Sequence, residues 1–130
     1  MITEYEINTP REGLVDVTDM AARAVRSSGV AEGLCLVYCP HTTAGITINE
    51  NADPDVARDF LIGLGKAFPD RAEFRHAEGN SSAHLKASAV GSSATVIVSG
   101  GLLVLGTWQG IYLCEFDGPR RRRLFVKVLG

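Results

Sequence analysis

The chain has 130 residues and a formal charge of -2, from 13 basic and 15 acidic side chains. That length suits one domain spanning 1–130, able to bury roughly two thirds of its unfolded surface without a disulfide or structural metal. The charge balance lacks the basic excess of nucleic-acid or anionic-membrane binders, which leaves small molecules and proteins as partners.

The start, MITEYEINTPREG, has no basic-then-apolar signal pattern, and the most apolar window, ATVIVSGGLLVLG, is too short to span a bilayer. The expectation is a soluble cytoplasmic protein. ITEYEIN has the β-branched and aromatic content of a strand. A helix over DMAARAVRSS follows, with Thr18 as its cap, Met20, Ala21, Ala24 and Val25 on one face, and Gly29 in the left-handed position after it. GLCLVYC is the next strand. Along a strand Cys35 and Cys39 lie roughly 13 Å apart, too far for a disulfide, and with Cys114 they read as packing thiols in a reducing compartment.

TTAGITINE alternates, placing Thr43, Gly45, Thr47 and Asn49 on one side and Ala44, Ile46, Ile48 and Glu50 on the other. Asp53 before Pro54 is a helix start, with Val56, Ala57, Phe60, Leu61, Leu64 and Phe68 as its apolar stripe and Pro69 closing it. Asn80 or Ser81 can cap a short helix, SAHLKASAV, ended by Gly91. ATVIVS, LLVL, WQGIYLCEF and RLFVKVL read as strands between Gly-rich or Asp-Gly-Pro turns. The pattern is α+β: a largely antiparallel sheet system with about three helices packed against it.

Polar chemistry concentrates in RHAEGNSSAHLK, which holds His76 and His84, while His41 follows Pro40 at the mouth of a strand. Three neutral imidazoles can ligate a catalytic zinc-type ion. Their spacing fits no metal motif, so structural or phosphate-contacting roles stay open beside it. Glu115 points with Ile111 and Leu113 towards an apolar layer, where desolvation would raise its pKa and suit it to acid or base work. The alternative for Glu115, and equally for Glu50, is a strand-end acid bending back to water. Lys86 and the N-H groups opening the SSAHLK helix favour a phosphate, or Lys86 is an ordinary solvated lysine. In the Arg120 to Arg123 run, Arg121 and Arg123 share a side with Phe125 and Lys127, able to hold a diphosphate or to guard an edge strand, while Arg122 shares the side of Leu124. Trp108 stacks on a heterocycle or packs in the core, its default.

The segments PHTTAGITINENADPD, RHAEGNSSAHLKAS and GTWQGIYLCEFDGPRRRR, in this order with the closing strand, resemble the YjbQ-like family, often named for secondary thiamine-phosphate synthase activity. The resemblance implies a compact homotrimeric α+β domain with a polar cleft within or between subunits. It implies a divalent metal, zinc by ligand type, on His41, His76 and His84. Its motifs carry over onto Asn49, Glu50, Asn51 and Asp53, onto Glu78 and Gly79, and onto Trp108, Gln109, Gly110 and Glu115. The catalytic candidates are then Glu50, Glu115 and Glu78, and the substrate-binding ones Thr42, Thr43, Asn51, Lys86, Trp108, Gln109, Arg121 and Arg123. The implied reaction joins a thiazole phosphate to an aminopyrimidine methyl diphosphate and expels diphosphate, as a side activity beside an unidentified parent function. A metal-dependent hydrolase of a phosphate ester or amide, and a non-enzymatic trimeric metal- or metabolite-binding protein, are the rival readings.

Overall fold

The computed structural model describes all residues, 1–130. Eleven elements follow one another: β1 (Ile2–Asn8), β2 (Gly13–Asp16), α1 (Thr18–Ser28), β3 (Gly33–Tyr38), β4 (Ala44–Glu50), α2 (Pro54–Ala67), α3 (Ser81–Val90), β5 (Ser93–Ser99), β6 (Leu102–Leu103), β7 (Gln109–Glu115) and β8 (Arg121–Leu129). The α+β expectation holds. β1, β8, β3, β5 and β6 form a five-stranded sheet in that order, and β2, β7 and β4 a three-stranded one; every pairing is antiparallel.

Alternation along β7 shows how the layers stack. Ile111 and Leu113 enter the main core, where they meet Cys35, Val37, Val96, Val98, Leu124 and Val126 of the large sheet and Ala21, Ala24 and Val25 of α1. Cys114 and Phe116 point the other way, into a smaller cluster with Ala83 and Ala87 of α3 and Phe60, Leu61 and Leu64 of α2. The large sheet therefore lies on one side, the small sheet and α1 in the middle, and α2 and α3 outside. The three cysteines are buried and unpaired.

Three local expectations change, one of them the cap of α3, where Asn80 holds the N-cap position but makes no side-chain cap bond. Thr18 is the first residue of α1, after the N-cap Val17. Its hydroxyl donates to Asp16 Oδ1 at 2.6 Å and accepts the Ile111 N-H at 2.8 Å, so it fastens the helix to β7. LLVL pairs over two residues only. β2 had no sequence signal of its own; four residues with an acid at one end gain strand character from β7 alone. Asp53 caps α2 as expected, accepting from Asp55 N-H at 2.9 Å, and Gly29 takes the left-handed conformation at φ 70°.

α3 sits flush on β4 because residue 45 is glycine. A Cβ there would come within 2.5 Å of Gly91 O, the same carbonyl that accepts the Ile46 N-H at 2.9 Å. This approach sets the α3 histidine beside the loop that leads into β4.

Candidate functional site

Where β4, α3 and β8 meet, a hollow of about 380 Å³ is lined by Pro40, His41, Thr42, Thr43, His76, Glu78, Asn80, His84, Arg120 and Arg122. None of these is a hydrophobic residue. The turn at His76 to Gly79, closed by the Gly79 N-H on His76 O at 3.0 Å, presents His76 and Glu78 over α3. His76 and His84 stand edge to face with ring centroids 5.2 Å apart.

The wall of this hollow rests on a pair that bridges the two sheets. Arg122 of β8 donates through Nε to Glu115 Oε1 at 2.7 Å and through Nη2 to Oε2 at 2.5 Å and to Thr43 Oγ1 at 2.8 Å. Glu115 also accepts from the Thr9 hydroxyl at 2.5 Å and the Asp117 N-H at 3.0 Å. Burial by itself would raise the Glu115 carboxyl, but the bonds from Arg122, Thr9 and Asp117 outweigh it and hold the group below its ordinary range. This corrects both readings made for Glu115. It does not bend back to water, being fully buried, and its pKa falls rather than rises, so it is an anchor for Arg122 and no general acid.

His41 is half-buried, and its Nε2 accepts the Arg123 N-H at 2.9 Å. Burial first, then the Arg122 charge, lowers its pKa, so the ring is neutral at pH 7 and carries its proton on Nδ1. Here the metal expected on His41, His76 and His84 meets its test. The three residue types suit zinc and share one hollow, but His41 spends its Nε2 lone pair on a backbone N-H, and no three His, Cys, Asp or Glu side chains are arranged to hold an ion. The trio as it stands is not a ligand set.

The remaining candidates divide. Thr42, Thr43 and Glu78 line the hollow with the histidines. Lys86 is buried, on the opposite side of Asn80 in a neighbouring chamber. Arg121 and Arg123 do not reach the hollow: they lie on the outer face of the large sheet, paired with Glu6 at 3.6 Å and Glu4 at 2.5 Å, with Arg123 over the Phe125 ring. Their place is taken by Arg120 and Arg122. Glu50, Asn51, Trp108 and Gln109 gather at the far end of the β4–β7 pair, about 20 Å from Glu115 by the strand rise. Trp108 is 61 % exposed, against the core default. Asn51 covers Gly110, where a Cβ would meet its amide at 2.7 Å.

Arg120 and Asn80 are the residues that sequence reasoning passed over for this site, and Arg122 entered it only as the middle of the Arg121 to Arg123 group. The signal for Arg122 was available: an arginine at an inward position of β8 needs a buried partner, and Glu115 was the one inward acid on β7.

The family model described as UPF0047 protein YjbQ-like matches residues 3–130. The chain belongs to the YjbQ family. Among its YjbQ relatives, the UPF0047 protein YugU of Bacillus subtilis is 53 % identical over 94 % of this chain and 93 % of its own. A crystal structure of an uncharacterised YjbQ/UPF0047 protein from Clostridium acetobutylicum is 55 % identical, with TM-score 0.95 over 98 % of this chain and 99 % of that one. A crystal structure described as a YbjQ-like protein of unknown function from Sulfolobus solfataricus, 34 % identical, also superposes at 0.95, covering 100 % of this chain and 96 % of that one. No helix is long and apolar enough to cross a membrane.

Proposed function

We propose that the histidine hollow is the active site of an enzyme acting on a phosphorylated small molecule, by a transfer of the thiamine-phosphate-synthase type. The observation that carries this is Arg122. Of its five N-H groups three are taken by Glu115 and Thr43, which fixes the guanidinium and leaves the Nη1 pair without a protein acceptor in a hollow lined by no hydrophobic residue. An arginine so held needs no reorganisation to meet negative charge as it develops on a departing diphosphate.

In this reading the thiazole ring nitrogen attacks the methylene carbon of the pyrimidine substrate. The carbon-oxygen bond breaks, its electron pair leaves with diphosphate, and Arg122 receives that charge, joined by Arg120. His41 offers Nδ1-H as a donor, and the exposed His76 and the half-buried His84 carry protons to or from the leaving group.

The test supplies each thiamine precursor alone and then both. Coupled product, reduced at least about a hundredfold in His84→Ala, is the expected outcome. Turnover of one precursor alone would favour the hydrolase, and ligand retention without turnover the binding protein.

We infer further that the protein works as a homotrimer. Two features support this. The outer face of the large sheet leaves Ile2, Leu34, Tyr38, Ile97 and Leu129 exposed, and the quartet Glu50, Asn51, Trp108 and Gln109 can join a histidine hollow only from another copy. Mixing two inactive variants, His84→Ala and Gln109→Ala, would then restore part of the activity. Mixtures as inactive as their components would count against shared sites.

A further inference from the structure

Beside the histidine hollow, beyond Asn80, lies a second chamber of about 270 Å³ between the loop before β2, the start of α3 and the turn after β7. α3 serves both. Ser82 and Lys86, one turn apart, face the chamber, whereas His84 lies half-way round the helix and faces the hollow. Asn80 lines both spaces.

Three groups in this chamber are less satisfied than their burial warrants. The Lys86 side chain is only 9 % exposed, yet its ion-pair partner, Glu12 Oε2, stands at 3.8 Å, outside hydrogen-bonding range. A buried ammonium needs acceptors for its three N-H groups. The Asn80 amide donates to Asp117 Oδ2 at 2.7 Å, but its Oδ1 is buried with no donor. The first turn of α3 has no side-chain cap, so its leading N-H groups have no side-chain acceptor. Of the other charges, Asp117 is engaged by Arg120 and Asn80, while Arg11 and Asp70 lie on the exposed rim.

Acceptor oxygens for an ammonium and a helix N-terminus describe a phosphate. We propose that the chamber is a second phosphate subsite, built on Lys86, Ser82 and the α3 N-terminus. It holds the phosphate of a phosphomonoester whose reacting end crosses Asn80 into the histidine hollow. That last clause rests on the function proposed for the hollow; the subsite itself does not.

The probe is inorganic phosphate, titrated by calorimetry into the intact protein. Two phosphates per chain are expected. Lys86→Met, and more mildly the rim variant Arg11→Gln, should weaken one of them, the former by about tenfold or more; His84→Ala should weaken the other. The proposal is overturned if folded Lys86→Met binds phosphate as the parent does. A single phosphate lost in Lys86→Met but indifferent to His84→Ala would uphold the subsite and remove the reading of the hollow. The opposite pattern would remove the subsite alone.

Discussion

Glu115 and Arg122 are 0 % and 3 % exposed and joined by two hydrogen bonds, with Thr43 completing the hold on the arginine and Thr9 and Asp117 the hold on the carboxylate. Losing one member leaves a buried charge without its partner, so Glu115→Ala should cost about 3–5 kcal/mol in urea denaturation, far more than an exposed carboxylate would. The folded pKa of Glu115 lies below its ordinary value. Its contribution is therefore whole above the unfolded pKa and is lost as pH falls through the folded one. His41 acts in the same direction: its folded pKa is lowered, so the unfolded chain takes up its proton first on acidification. Stability should fall from weakly acidic pH downwards, and the His41 ring resonances should titrate below the usual histidine range in an NMR series. Burial pushes Cys35 up to about 11 and Cys114 up to about 12, so both should resist a thiol reagent until the chain unfolds.

Among the elements, α3 matters most, because it carries His84 to the hollow and Lys86 to the chamber. Its seat on β4 depends on Gly45, and Gly45→Ala should drive Gly91 away, costing about 1–3 kcal/mol. Coupled-product activity should fall with it, whereas Gly63→Ala, in the middle of α2 with open space at its Cβ position, should leave activity unchanged and slightly raise the melting temperature. Element starts with local chemistry were legible in the sequence: Asp53 with Pro54 opened α2, and Gly29 closed α1. β2 was not, since its strand character comes from a partner nearly one hundred residues away.

For the whole molecule, the bare face of the large sheet is the largest consequence of the layering. Ile2, Leu36, Tyr38, Phe125 and Lys127 surround an apolar depression there, rimmed by the Glu4–Arg123 and Glu6–Arg121 pairs. An apolar centre bordered by charged pairs suits the subunit contact proposed above. Tyr38→Glu with Ile97→Lys should shift the sedimentation coefficient from the proposed trimer to a monomer while circular dichroism stays unchanged.

The sequence by itself determined the family, the α+β class, most elements and the faces of each strand, because alternation and helix caps are properties of neighbouring residues. It also placed Arg122 inward and Arg121 and Arg123 outward, though the anion-binding role went to the outer two. Only the tertiary structure decided that Arg122 meets Glu115 across two sheets, that His41 is held by Arg123 N-H and that Lys86 and His84 open into different spaces. Periodicity reports which way a side chain points. What it meets there depends on chain segments that only the packed layers bring together.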